Sequence, residues 1–100
     1  MSRRDLILGT HREAIVATAR ANKATEIALV GSVARGDDGP GSDVDFLATF
    51  APGATLFDQS RLLGALRELL GIKVDVLSVG GLKPESLPRH REILAEAIRL

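Results

Sequence analysis

Val30-Gly31-Ser32-Val33-Ala34-Arg35-Gly36, followed after a run of turn formers by Ser42-Asp43-Val44-Asp45-Phe46, is the stretch that decides how this chain folds. Glu26 to Val30 is a short apolar run that ends at Gly31, the pattern of a buried strand feeding a tight turn. Asp37-Asp38-Gly39-Pro40-Gly41-Ser42 consists of turn formers throughout. From Asp43 to Thr49 the acids at 43 and 45 alternate with Val44 and Phe46, which predicts a second strand with one polar and one apolar face. Residues two apart on a strand share a face, so Asp43 and Asp45 are expected side by side with Cα atoms ~6–7 Å apart.

Outward from this stretch the chain alternates helix and strand signals. Thr10-His11-Arg12-Glu13 fits a capping box, with Ile15, Val16 and Ala19 on one face of a helix expected to run to about Asn22. Downstream of Pro52-Gly53, Thr55 reads as an N-cap with Asp58 in the first turn. Leu56, Leu63, Leu66 and Leu70 then recur at helical spacing up to a C-cap glycine, Gly71. Gly64 inside that helix costs about 1 kcal/mol relative to alanine and is expected to mark close packing. Ile72 to Val79 reads as a third strand ended by Gly80-Gly81. Beyond Pro84 to Pro88, Ile93, Leu94, Ala97 and Ile98 predict a last amphipathic helix reaching the end of the sequence. The order helix, strand, strand, helix, strand, helix predicts an α/β or α+β fold with a small sheet. No repeat or polar linker divides residues 1–100, so one domain is expected.

Composition narrows the function classes. One hundred residues bury about two-thirds of the surface of the unfolded chain, enough for one modest core. Thirteen basic residues balance thirteen acidic ones, which argues against a polyanion as the main partner, because non-specific nucleic-acid affinity requires excess Lys and Arg. Three Phe, no Trp and no Tyr provide little for base stacking. The absence of Cys excludes disulfides, thiolate metal sites and a cysteine nucleophile. Leu6-Ile7-Leu8 after Arg3-Arg4 is too short for a signal peptide, and no run approaches a membrane span; a cytoplasmic protein is expected.

The residues that carry chemistry lie at strand ends. Two carboxylates held close repel unless a positive charge lies between them, and hard divalent cations such as Mg²⁺ take oxygen ligands of this kind. Asp75 is the natural third ligand, since an ionised group in the apolar run Val74-Val76-Leu77 is costly unless paired or metal-bound; alone it also fits an exposed position on an edge strand. Gly31 lets a phosphate approach the backbone, Ser32 offers a hydroxyl, the turn from Val33 to Gly36 can present amides, and Arg35 adds charge. A triphosphate beside a carboxylate cluster is a phosphoryl- or nucleotidyl-transfer arrangement. Each element alone is common; their joint occurrence is informative. His11 and His90 sit among charges on helices and are expected on exposed faces; the cluster Arg89, Arg91 and Arg99 fits a solvated face, the preferred reading, or a surface that meets an acidic partner.

Gly31-Ser32, ten residues (33 to 42), then Asp43-Val44-Asp45 closely resembles the signature of the DNA-polymerase-β-like nucleotidyltransferase superfamily, and within it the minimal nucleotidyltransferases (MNT), the MntA-type antitoxins. The resemblance continues through Phe50 to Asp58, Lys73 to Leu77, Leu82-Lys83-Pro84 and Arg91 to Leu100, covering the chain from about His11 onward. It implies a nucleotidyltransferase fold, a small mixed sheet flanked by helices. It also implies Mg²⁺-dependent transfer of AMP from ATP, with two Mg²⁺ ions. On that basis Gly31, Ser32 and Arg35 bind the nucleotide, Asp43, Asp45 and Asp75 hold metal, and Asp75 also activates the acceptor hydroxyl. The implied partner is a HEPN-family ribonuclease toxin, adenylylated on tyrosine and thereby silenced, as in a type VII toxin–antitoxin pair.

The chain has no Tyr of its own, so a tyrosine acceptor must come from outside. Two alternatives stand beside this reading. One is an antitoxin that neutralises by binding alone. The other is a small-molecule nucleotidyltransferase working with a partner subunit, since 100 residues leave no room for the substrate domain of the aminoglycoside-modifying relatives.

Overall fold

The computed structural model describes residues 2–100. A short helix α1 (Arg3–Asp5) runs through a wider π turn (Leu6–Thr10) into α2 (Arg12–Ala21). The N-cap of α2 is His11, whose side chain makes no capping bond, so the expected Thr10 box does not form. Thr10 is itself within the preceding π turn, where its backbone is no longer free to adopt a cap conformation. Next come β1 (Ala24–Val30), α3 (Gly31–Arg35), β2 (Val44–Phe50), α4 (Leu56–Leu70), β3 (Val74–Ser78), a 3₁₀ turn (Val79–Gly81), α5 (Pro88–Glu96) and β4 (Ile98–Arg99).

The strands form one mixed sheet in the order β3-β2-β1-β4. β1 pairs antiparallel with both β2 and β4, whereas β2 and β3 are parallel, joined through the α4 crossover. Alternation along β2 sends Val44, Phe46 and Ala48 into the core and Asp45 to the opposite face. Phe46, Leu29, Ile15, Leu62 and Leu66 are fully buried there, with α2 packed on β1 and α4 on β3. α4 begins where expected: the Thr55 backbone N–H and hydroxyl both donate to Asp58 Oδ2, at 2.8 and 3.2 Å. Its buried stripe is Leu62 and Leu66 with Leu63 and Leu70 alongside, while Leu56 is 80% exposed. A methyl group placed on Gly64 would meet nothing within 4 Å, so this glycine marks no close packing.

The last helix stops at Glu96. Ala97 is extended (φ −62°, ψ 132°), and Ile98 and Arg99 pair with Leu29 and Ala28 of β1. The expected helix to the end of the sequence is replaced by a strand because β1 offers an otherwise unpaired edge, and Ile98 and Leu100 reach the core equally well from an extended backbone.

Candidate active site

The turn after β1 is a short helix. α3 begins at Gly31 (φ +76°) and is closed by Gly36 (φ +79°), whose N–H donates to Val33 O while Asp37 N–H donates to Ser32 O. Val33 and Ala34 are buried and anchor it. Position 31 requires glycine twice over. Its φ is left-handed, and a Cβ there would lie 2.5 Å from Asp45 Oδ2. The backbone at Gly31 is thus pressed against the Asp45 carboxyl, which follows from the register pairing Val30 with Asp45.

Across β2 and β3, Asp45 pairs with Asp75. Asp75 is solvent-exposed on the edge strand, so the expectation that burial forces it to find a partner does not apply; its position opposite Asp45 is what places it. Asp75 Oδ1 accepts from the Val76 N–H at 2.9 Å. Partial burial pushes the Asp45 carboxyl above its ordinary pKa, and the charges of Asp75, Asp43 and Glu96 add to the effect against the opposing pull of Arg35.

A cleft of about 330 Å³ is lined by Gly31, Ser32, Arg35, Asp45 and Asp75 together with Arg89, Glu92 and Glu96 of α5. Five of the six residues expected in the site therefore share one cleft. Asp43, expected on the strand beside Asp45, lies just ahead of β2, exposed, and borders a separate shallow depression with Arg67 and Lys73. Arg89, expected on a solvated face, lines the cleft. His90 serves the connection instead, its Nδ1 accepting from the Lys83 N–H at 2.8 Å.

Two residues escape sequence reasoning. Glu96 Oε1 accepts from the Gly31 N–H at 2.9 Å and Oε2 from Arg35 Nη1 at 2.8 Å. Arg3 ties down the loop between α3 and β2: Nη1 donates to Gly39 O and Ser42 O at 3.1 and 3.2 Å, and Nη2 to Pro40 O at 2.8 Å. Neither has a local signal, because each contact spans more than thirty residues.

The donor chemistry fits a divalent cation: hard carboxylate oxygens, mutually repelling, on a face open to solvent. They are not closed into a cage. Among the described residues no three acidic, His or Cys side chains converge to hold an ion by themselves. Such an open set suits Mg²⁺, which is commonly held by one or two carboxylates and completed by substrate phosphates.

Residues 12–100 match the family model described as a nucleotidyltransferase domain. The chain belongs to the nucleotidyltransferase domain family. A protein of Methanocaldococcus jannaschii assigned as a protein adenylyltransferase is 41% identical over 70 residues, 70% of this chain and 72% of the relative. A solved structure assigned as a minimal nucleotidyltransferase superposes with a TM-score of 0.80 at 41% identity, covering 93% of this chain and 92% of the other. The MNT antitoxin structure in complex with tri-AMPylated Shewanella oneidensis HEPN toxin gives a TM-score of 0.66 at 17% identity, over 90% of this chain and 68% of that one, a likeness of fold. The small mixed sheet flanked by helices expected of a nucleotidyltransferase fold is the fold observed, and the chain is a nucleotidyltransferase enzyme. Among the described residues no helix is long and apolar enough to cross a membrane.

Proposed function

We propose that this chain, residues 1–100 acting as one catalytic unit, transfers AMP from ATP to a tyrosine of a cognate HEPN-type ribonuclease toxin and is its antitoxin in the cytoplasm. The observation that carries the reading is the contact of Gly31 with Asp45: it brings a backbone able to take phosphate directly against the carboxylates. In this reading Gly31, Ser32 and Arg35 hold the triphosphate. Asp43, Asp45 and Asp75 would hold Mg²⁺, two ions in all, whose charge offsets that developing on the α-phosphate and on the leaving pyrophosphate. Asp75, exposed at the sheet edge, takes the proton of the acceptor hydroxyl. The tyrosine oxygen forms a bond to the α-phosphorus, the bond from that phosphorus to the bridging oxygen of the β-phosphate breaks, and pyrophosphate leaves. An acceptor presented on another protein suits a chain without Tyr. The M. jannaschii relative's assignment and the antitoxin complex support the same direction.

The test is to incubate the protein with Mg²⁺, ATP and the product of the adjacent reading frame and to measure that product's intact mass. A gain of one or more AMP units, abolished by Asp43→Asn with Asp45→Asn, is expected. Tight binding and inhibition of the toxin without any mass change would refute transfer and leave neutralisation by binding. Mapping the modified residue by fragmentation checks tyrosine as the acceptor.

A further inference from the structure

Glu96 holds an unusual position. It is the last residue of α5, where the helix dipole disfavours a carboxylate, and the chain turns extended immediately after it. Both of its oxygens are nevertheless engaged, one by the Gly31 amide and one by the Arg35 guanidinium, and its side chain is only 18% exposed. Arg35 binds it at 2.8 Å, closer than its other carboxylate partner, Asp37, at 3.2 Å. The carboxylate lies in the same cleft as Asp45 and Asp75, so a further negative charge is held in a site already rich in them. What keeps it there is a pair of charge-assisted hydrogen bonds, from one amide and one guanidinium. Two oxygens of a phosphate would make the same pair.

We propose that Glu96 is a built-in competitor for the nucleotide's phosphates: it occupies the Gly31 amide and Arg35 in the free protein and withdraws when a triphosphate takes them. The proposal rests on reading this cleft as the nucleotide site. Both groups cannot use the Gly31 N–H at once, since it is a single donor. Withdrawal falls to the side chain of Glu96, because the backbone beyond it is pinned. Glu96 joins α5 to β4 through the extended residue Ala97, and β4 is held to β1 by pairing at two residues and by the Leu100 N–H to Ile27 O bond. A site closed by its own side chain binds ligand more weakly by the fraction of molecules in which it is open. The affinity for ATP is thereby set by α5, the element whose Arg89 and Glu92 also line the cleft.

Calorimetric titration with Mg²⁺ and a non-hydrolysable ATP analogue tests this on the whole chain. Glu96→Gln and Glu96→Ala are each expected to bind about tenfold more tightly than the wild type, the range of one lost charge-assisted bond. Inorganic tripolyphosphate is expected to gain affinity by a similar factor. Unchanged or weaker binding by both variants overturns the proposal and makes Glu96 a support for Arg35. A second measurement needs no substitution: on saturating the wild-type protein, the ¹³C shift of the Glu96 side-chain carboxyl is expected to move to that of a solvated glutamate. A shift that stays in place at saturation also overturns the proposal. If the wild type and both variants bind no nucleotide, the nucleotide reading of the cleft fails and the competitor with it. If the wild type binds in a manner abolished by Asp45→Asn yet indifferent to Glu96, only the competitor fails.

Discussion

Asp45 of β2 stands opposite Asp75 of β3 in the sheet's parallel pair, and Gly31 is packed against one oxygen of the Asp45 carboxyl. That juxtaposition is unfavourable in the free protein. The folded state raises the Asp45 pKa through burial first and neighbouring charge second, so the ionised form weakens folding. The favourable contribution of this group is present below its ordinary 3.8 and is lost as pH rises through its raised value. Asp45→Asn is therefore expected to abolish transfer yet raise the metal-free melting temperature by roughly 2–6 °C at pH 7. Mg²⁺ should raise the wild-type melting temperature and leave the variant nearly unmoved, because only a ligand bound by the folded state stabilises it. Thermal scans with and without Mg²⁺ across pH 4–8 check both statements; a variant less stable than the wild type at neutral pH would contradict them.

Gly31→Ala is expected to damage fold and site together. An L-residue in the left-handed region costs about 1–2 kcal/mol, and the added methyl also displaces the Asp45 carboxyl. The expected outcome is a melting temperature lower by roughly 5–15 °C and transfer reduced by at least ~100-fold, since small misplacements of reacting groups are costly. Gly36→Ala isolates the backbone effect: it shares the positive φ but has nothing within 4 Å of its Cβ position. It should lose stability by a comparable amount while keeping far more activity.

How much of the fold is legible in the sequence follows from the range of each interaction. Asp45 and the Gly31 turn are local patterns, set by the two-residue period of a strand and by the conformation only glycine tolerates, so their positions can be read directly, whereas Asp43, expected on the same strand face, lies just ahead of β2 and outside the cleft. The stripe of α4 departs from its periodicity at the start. Leu56 fits the helical period but belongs to the first turn and is exposed, and Leu62 takes the buried place. Ala97 to Leu100 satisfy a helical stripe and an extended edge equally, and the free edge of β1 decides between them. Glu96 sits among Arg and Glu on an otherwise ordinary helix, and only the fold brings it the 65 residues back to Gly31.

Asp58 supplies the opposite pH dependence to Asp45. Its carboxyl is held below the ordinary 3.8 mainly by the Thr55 backbone N–H, with help from Lys23, the Thr55 hydroxyl and Arg61 against the opposing effect of burial. A depressed folded pKa contributes stability that is present above 3.8 and lost as pH falls below it toward the folded value. Asp58→Asn should accordingly be less stable than the wild type at neutral pH, with the gap narrowing as the acid limb is descended. Parallel denaturant titrations at pH 7 and pH 3 measure the gap; one that stays constant would show that the carboxyl's charge is not what holds the start of α4.

Arg3 should act on the site through the loop it fastens. Its guanidinium donates to the carbonyls of Gly39, Pro40 and Ser42 and pairs with Asp38, so an N-terminal side chain fixes the segment that delivers Asp43 and Asp45. The guanidinium is partly exposed, which limits its worth to stability to about 1 kcal/mol. Its effect on rate should be larger than that figure implies, because the Asp43 carboxylate stands one residue beyond the last tethered carbonyl. Arg3→Ala is expected to raise amide hydrogen exchange across residues 38–43 and lower kcat by roughly 3–10-fold, with KM for ATP nearly unchanged because the Arg3 guanidinium bonds to Asp38, Gly39, Pro40 and Ser42 and not to Gly31, Ser32 or Arg35. Arg3→Lys should restore little, since one ammonium cannot span three carbonyls as the planar guanidinium does. A rise in KM with kcat intact would instead tie Arg3 to the nucleotide and not to the placement of the carboxylates.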